Sequence, residues 1–286
     1  YVFSWQRTAD PQTGAEYAYF LEMIENGADI VAGKKPVSEL GIKANGDYEL
    51  EIKLAKPTPY FDYLLAFPLF FPQHQATVEK YGKDYAASSE KAVYNGPFVL
   101  ANFEGAGSDT NWTLEKNENY WDADEVVTKT MNWPISESQS TRLTLVEGGE
   151  ADMMVEPPVA DQQRLEEAGL LHIGPMLGNY YYLFNVKAEP FTNPDVRKAF
   201  SMVINRKEIV KNIVKGGKEE AYAFVPYGML ESNGTDDFRE AGSYLVYEDV
   251  EQAKELIKEA GYDENHPLPP ITILYNTSEM HKAIAE

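Results

Sequence analysis

Helix patterns and strand patterns follow one another irregularly along the whole chain, and this order restricts the folds open to it. Residues 47–54 alternate apolar and charged side chains after a turn at Asn45 and Gly46, which predicts a half-buried strand. Helix patterns flank this strand, without a regular repeat of strand and helix and without a sequence repeat of fixed period. The order predicts an α/β protein with mixed sheets flanked by helices.

The remaining elements are predicted from periodicity and from capping residues. Further strands are expected at residues 97–103, 112–115, 128–133, 152–155, 180–184 and 271–275. Helices are expected from Tyr17 to near Gly27, at residues 60–65, 137–147 and 161–168, and from Asn193, Asn205 and Asp249 onward. Ser136 and Gln139 have the spacing of a capping box, and residues 105–107 read as a hairpin tip. The helix that begins at Asn193 is expected to bury Val196, Ala199, Phe200 and Val203.

Length and charge exclude several classes of protein. The chain has 286 residues, more than one compact core usually organises, so we expect two structural units or a piece of a larger protein. The first residues read like the middle of an element and residues 280–286 like a helix that has just begun, which favours an internal piece. The 25 Lys and Arg residues against 46 Asp and Glu residues give a net charge of -21. This charge should repel nucleic acid and anionic membrane surfaces.

Residues suited to metal or cofactor chemistry are sparse. The chain has no cysteine, and its histidines are scattered singly at His74, His172, His266 and His281. Imidazole ligands of a metal usually lie at close spacing on one helix or on paired strands. No glycine-rich stretch has the spacing of a nucleotide-binding loop. We therefore predict neither a metal site nor a cofactor.

Paired carboxylates are the strongest argument for an enzyme. Glu147, Glu150, Asp152 and Glu156 lie close together in an acidic chain rich in tyrosine and tryptophan, as in many extracellular glycosidases. The competing interpretation places Glu147 and Glu150 at a surface turn and Asp152 at the start of a strand. We predict that the protein is not an enzyme and keep a carbohydrate-active hydrolase as an alternative.

A series of motifs in a fixed order carries a family resemblance. The motifs include YVFSWQRTADP at 1–11, AGKKP at 32–36, NGPF at 95–98, EKNENYWD at 115–122, GEADM at 149–153, YYY at 180–182 and YNTS at 275–278. In this order and over nearly the whole length, they resemble the oligopeptide-binding proteins of bacterial ABC importers. Each motif alone is modest, and their order carries the resemblance.

The resemblance implies a two-lobed fold of the periplasmic-binding-protein type (type II), with an extra domain beside one lobe. Residues 1–76 would be the C-terminal part of that extra domain. Residues 77–177 would be the main part of lobe I, and residues 178–286 the N-terminal part of lobe II, so the fold is incomplete here. The implied function is that of an extracytoplasmic substrate-binding subunit, which captures oligopeptides between the lobes and delivers them to a membrane permease.

The resemblance also implies partners and a location. The partners would be an oligopeptide ligand and ABC permease subunits with ATPase subunits behind them, without nucleic acid, and the protein would be a monomer. It would lie in the periplasm or, as a lipoprotein, on the outer face of the cell membrane. A peptide-sensing receptor on the same scaffold is a second alternative function.

The resemblance further implies a set of ligand-binding positions and no catalytic residue. Tyr17 would line the ligand side of the cleft, and Tyr181 would lie near the ligand in the strand where the lobes meet. Glu156 falls at a polar cleft position. Met176 and Leu183 stand where the best-known members have an aromatic and an acidic pocket residue. The full predicted set is Tyr17, Glu156, Met176, Asn179, Tyr181 and Leu183.

Overall fold

The structure, a computed structural model, describes residues 1–105, 107, 111–242 and 245–286. The chain divides into two units, Tyr1–Ile135 and Ser136–Glu286. Within the described residues, no helix is long and apolar enough to cross a membrane. The assignment of residues to an extra domain (1–76), lobe I (77–177) and lobe II (178–286) concerns the whole protein and stays a prediction.

The first unit contains short helices and two small sheets. Its α-helices are α1 (Val2–Ala9), α2 (Gly27–Val31), α3 (Phe61–Leu64) and α4 (Gln75–Tyr81). Its strands are β1 (Ile42–Ala44), β2 (Leu50–Ile52), β3 (Phe98–Leu100), β4 (Asn111–Lys116) and β5 (Thr130–Pro134). Short 3-10 helices lie at Ala18–Met23, Val37–Glu39, Pro68–Phe70, Gly82–Asp84, Ser89–Lys91 and Ala123–Glu125.

Both sheets are antiparallel. β1 pairs with β2, and the second sheet has the order β3-β4-β5, with Trp112 opposite Trp133. The strands predicted in residues 97–133 are therefore confirmed, with shifted ends. The strand predicted at 47–54 is shorter, because residues 46–48 belong to the turn and Tyr48 is fully exposed. The hairpin tip predicted at 105–107 includes Ala106, which lies outside the described residues.

The core of the first unit is built around Trp5 of α1. Its side chain is 2% exposed, and its ring meets that of Phe70 edge to face, with the centroids 5.2 Å apart. The indole N–H donates a hydrogen bond of 2.9 Å to the Phe70 carbonyl. Gly27, near which the predicted first helix was expected to end, instead begins α2. Leu21 and Ile24, from that predicted helix, are fully buried in the same core. This segment is a 3-10 helix, whose i→i+3 hydrogen bonds still place both residues inward.

The second unit is mainly helical. Its helices are α5 (Gln139–Glu147), α6 (Gln162–Glu167), α7 (Pro194–Met202), α8 (Arg206–Glu208, continued by a π-helix at Ile209–Val214), α9 (Phe238–Ala241), α10 (Val250–Glu259) and α11 (Glu279–Ala285). The predicted starts at Asn193, Asn205 and Asp249 are confirmed. Each of these side chains accepts a hydrogen bond from a backbone N–H of the first helical turn.

Helices α7 and α10 pack together and form the main core of the second unit. Ala199 and Met202 of α7 are buried against Ala253 of α10. The predicted buried face of α7 is confirmed for Val196 and Ala199. It is wrong for Val203, which is 49% exposed because the helix ends at Met202 and residue 203 is its C-cap.

Three predicted strands do not form in the part of the chain that the structure describes. Residues 152–155, 180–184 and 271–275 form no hydrogen-bonded ladder, although their side-chain patterns are those of strands. A strand depends on the backbone hydrogen bonds of a partner strand, and no partner pairs with these segments in the described part of the chain. Their apolar side chains are correspondingly exposed, with Leu183 at 84% and Leu274 at 91%.

Candidate functional site

The second unit contains a cavity of about 810 Å³ lined by polar and charged side chains. Three pieces of chain form its wall: residues between 137 and 142 at the start of α5, Glu156, and residues between 275 and 282 leading into α11. The wall presents carboxylates, hydroxyls, amides, an imidazole, an ammonium and a guanidinium group. This combination can hold a polar ligand through hydrogen bonds and charge pairing.

The start of α5 places Arg142 on the cavity wall. The Ser138 hydroxyl accepts a hydrogen bond of 3.2 Å from the N–H of Thr141, so the helix begins at Gln139. The capping box predicted at Ser136 is therefore wrong, since the cap lies two residues later. Ser136 instead donates a hydrogen bond to the carbonyl of Ser138. Arg142 then lies one turn into the helix.

The segment that leads into α11 is organised around His281. Its backbone N–H donates to the Ser278 hydroxyl, which caps the helix, and its Nδ1 forms a hydrogen bond with the Asn276 side-chain oxygen. The Tyr180 hydroxyl lies 3.4 Å from the same nitrogen, with the two ring centroids 5.0 Å apart. These contacts bring the tyrosine run at 180–182 beside the cavity. Asn276 belongs to the motif at 275–278 and His281 follows that motif by three residues, but sequence reasoning assigned neither residue to the site.

Glu156 lies in the cavity wall with an unusual backbone. Its φ of 54° is in the left-handed region, which a residue with a Cβ adopts only at a cost. Strain of this kind clusters at binding sites, where the surrounding structure holds a side chain in place. The predicted ligand-binding residue Glu156 is therefore placed in the cavity by a conformation that glycine or asparagine would adopt more easily.

Replacing Glu156 by glycine should raise the free energy of unfolding by about 1 kcal/mol, since glycine adopts a positive φ without a Cβ penalty. Urea unfolding of the full-length protein measures this change. The matched control is Glu255→Gly in the exposed middle of α10, which should lower the free energy by about 1 kcal/mol. Destabilisation by Glu156→Gly as large as that of the control would show that the left-handed backbone carries no strain.

Asn179 and Tyr181 do not line the cavity but pack against residues 223–224. The Asn179 side-chain amide donates hydrogen bonds of 3.0 and 2.8 Å to the carbonyls of Ala223 and Phe224. The ring of Tyr181 lies 5.1 Å from that of Phe224. These contacts tie the predicted residues to the following loop. Ligand contact by Asn179 and Tyr181 stays a prediction.

Met176 and Leu183, also in the predicted set, are strongly exposed. Their exposed fractions are 85% and 84%. Neither belongs to the cavity wall among the described residues. Their predicted role therefore rests on the resemblance alone.

Tyr17 lies in the first unit, in a cluster of aromatic rings. Its ring is 5.2 Å from that of Phe67 and 6.1 Å from that of Phe20, and it is 45% exposed. The cluster gives Tyr17 a fixed position while leaving one side of the ring open. This arrangement suits contact with an apolar or aromatic group.

Tyr182 lies beside the phenols of Tyr180 and Tyr275. Burial raises the pKa of its phenol, and the neighbouring phenols of Tyr180 and Tyr275 raise it further. The same neighbours show that the tyrosine run lies beside residue 275, at the edge of the cavity.

The four carboxylates that favoured an enzyme do not all line the cavity. Glu147 forms an ion pair of 2.8 Å with Arg164, which also contacts Asp161 at 2.9 Å. Of the four carboxylates considered, Glu156 lines the cavity and Glu147, Glu150 and Asp152 do not. Within the described ranges, no group of three or more histidine, aspartate and glutamate residues is placed to hold a metal ion.

Comparison with known proteins decides the family. The family model described as bacterial extracellular solute-binding proteins, family 5 Middle, matches residues 1–286. The chain belongs to this family. The resemblance inferred from the motifs is thereby confirmed, and the family is one of solute-binding proteins rather than enzymes.

Individual relatives agree with this assignment. The chain is 35% identical over 287 residues to the dipeptide-binding protein DppE of Bacillus subtilis, covering 100% of this chain and 52% of that protein. OppA of Burkholderia pseudomallei has a TM-score of 0.85 at 28% identity, covering 99% of this chain and 55% of that one. OppA of Listeria monocytogenes, solved bound to peptide, has a TM-score of 0.77 at 34% identity, covering 92% of this chain and 53% of that one.

These matches confirm the predicted fold class, an α/β fold of the periplasmic-binding-protein type. The chain spans about half the length of the curated relatives it matches.

Proposed function

We propose that the whole protein is the extracytoplasmic substrate-binding subunit of an ABC importer and that its ligands are oligopeptides. The observation that carries the proposal is the likeness to the Listeria OppA solved with a bound peptide, over 92% of this chain at 34% identity. The polar cavity of the second unit adds support, because its hydrogen-bonding groups suit the N–H and C=O groups that every peptide presents.

The proposed mechanism is capture by closure of two lobes. Backbone pairing gives an affinity that does not depend on peptide sequence, and hydrated side pockets accept varied side chains. A closed, liganded state then offers the permease a surface that the open state lacks, which is a ligand-driven shift of population. The residue segments 1–76, 77–177 and 178–286 are proposed as parts of the extra domain, lobe I and lobe II.

The proposal includes a location and partners. The protein would act as a monomer outside the cytoplasm, in the periplasm or lipid-anchored on the outer face of the cell membrane. Its partners would be permease subunits with ATPase subunits behind them. It would need no cofactor and no catalytic residue, because capture and release involve no covalent step.

Calorimetric titration of the full-length protein with short peptides tests the proposal. We expect saturable binding of one peptide per molecule and no turnover of glycosides. His281→Ala should weaken binding about tenfold, since it removes the imidazole that contacts Asn276 and Tyr180 beside the cavity.

The matched control is His266→Ala, an exposed histidine of the same unit outside the cavity wall, which should bind as the unmodified protein does. Absence of peptide binding together with glycoside hydrolysis would refute the proposal.

A further inference from the structure

The cavity of the second unit is lined by an arginine whose Nε has no hydrogen-bond partner among the described residues. Arg142 lines the cavity, and its Nε is buried with no hydrogen-bond partner. In the described part of the chain Arg142 forms no ion pair, although Glu137, Glu156 and Glu279 line the same cavity. A charged donor is thus held in the wall without a partner among the described residues.

Other arginines of the unit are partnered. Arg164 forms ion pairs, Arg197 donates to the carbonyls of Phe191 and Thr192, and Arg206 donates to backbone carbonyls around its helix start. These contacts explain their presence by local structure. Among the described residues Arg142 has no such contact, so local structure does not explain the presence of a charged side chain at this position.

The position of Arg142 is unfavourable without a ligand. A buried donor left unpaired costs about 1–3 kcal/mol, and more when it belongs to a charged group. Arg142 also lies in the N-terminal half of α5, the end at which the helix dipole disfavours a cation. An anionic group in the cavity would offset the charge of this cation near the helix start.

We propose that Arg142 binds a carboxylate of the ligand, an inference that rests on the peptide-binding function proposed above. Guanidinium and carboxylate match in a planar geometry with two parallel hydrogen bonds. The three glutamates of the same wall disfavour a multiply charged anion such as phosphate and favour a ligand that also carries positive charge, as a peptide does. Within a peptide the carboxylate comes from the C-terminus or from an acidic side chain.

The test is calorimetry on full-length Arg142→Gln with three matched peptides. The first has one glutamate and a free C-terminus, the second has glutamine in place of that glutamate, and the third is the first with an amidated C-terminus. The variant should bind the first peptide on the order of ten- to a hundredfold more weakly than the unmodified protein does. If Arg142 binds the glutamate side chain of the peptide, the variant and the unmodified protein should bind the glutamine peptide with equal affinity. If Arg142 binds the C-terminal carboxylate, the two proteins should bind the amidated peptide with equal affinity.

Two further variants separate binding from structure. Arg142→Lys keeps the charge without the planar fork and should recover part of the lost affinity. Arg164→Gln removes an arginine of the same unit outside the cavity and should leave the affinity for all three peptides unchanged. Arg142→Gln should unfold at the same temperature as the unmodified protein or higher, because a structural role would lower that temperature.

Several outcomes would overturn the proposal. The assigned carboxylate contact is wrong if Arg142→Gln binds all three peptides as the unmodified protein does, or if it binds all three more weakly by the same factor. In either case, peptide binding by the unmodified protein would still support the proposed function. If the unmodified protein binds no peptide, both proposals fall together.

Discussion

Replacing Trp5 by alanine should lower the free energy of unfolding by about 3–5 kcal/mol, the range for deletion of a large buried aromatic side chain. Trp5 is 2% exposed and stands at the centre of the first unit's core, with Phe70 edge to face against it. The substitution leaves a cavity that helix α1 cannot fill, and it leaves the Phe70 carbonyl without the indole donor. Urea unfolding followed by circular dichroism measures the loss, and amide exchange assigns it to residues 1–135.

Trp121→Ala is the control for Trp5. Trp121 lies in the same unit and is 83% exposed, so its removal should change the free energy of unfolding by less than about 0.5 kcal/mol. Equal effects of the two substitutions would mean that the core is not built around Trp5.

Met202→Ala should lower the free energy of unfolding by about 2–5 kcal/mol, because it removes a buried side chain from the core of the second unit. Met202 is fully buried at the end of α7, where it packs with Ala199 against Ala253 of α10. Val246, Leu256 and Ile257 pack against the same cluster, so the loss of the Met202 side chain leaves a cavity among them. Urea unfolding with amide exchange of α7 and α10 measures the effect.

The neighbouring residue Val203 supplies a sharp control. Periodicity predicted Val203 as part of the buried face, but it follows the last residue of α7 and is 49% exposed. Val203→Ala should cost less than about 0.5 kcal/mol. A larger cost for Val203→Ala than for Met202→Ala would favour the periodicity over the structure.

Helix starts could be predicted from the sequence because their causes are local. Asn193, Asn205 and Asp249 each accept a hydrogen bond from an N–H two or three residues ahead, so the signal lies within one helical turn. The cap of α5 was misplaced by two residues because Ser136 and Ser138 are both suitable caps. Geometry rather than residue type decides between them.

Strands could be predicted only where both partners lie close in the chain. The sheet of β3, β4 and β5 pairs consecutive segments, and its strands were found. Residues 152–155, 180–184 and 271–275 have equally good strand patterns, yet none is paired in the described chain. Side-chain alternation predicts that a segment tends to form a strand. The hydrogen-bonded ladder also needs a partner strand, which the segment itself does not specify.

The candidate site was predicted in part. Glu156 was expected near the ligand and lies in the cavity wall, but Arg142, Asn276 and His281 were not assigned to the site. They come together only because α5 and the segment leading into α11 meet in space, more than a hundred residues apart in sequence. Tyr181 was chosen from the tyrosine run, whereas the structure brings its neighbour Tyr180 to His281.

Mass spectrometry of the full-length protein, purified under non-denaturing conditions, tests the central claim most directly. The account predicts one bound peptide per protein molecule, with varied sequences among the molecules, because backbone pairing rather than side chains supplies most of the affinity. Removal of these peptides by unfolding and refolding should leave a protein that takes up added peptide again. The account would be contradicted if the purified protein carried no peptide and took up none after refolding, while it bound or hydrolysed another solute.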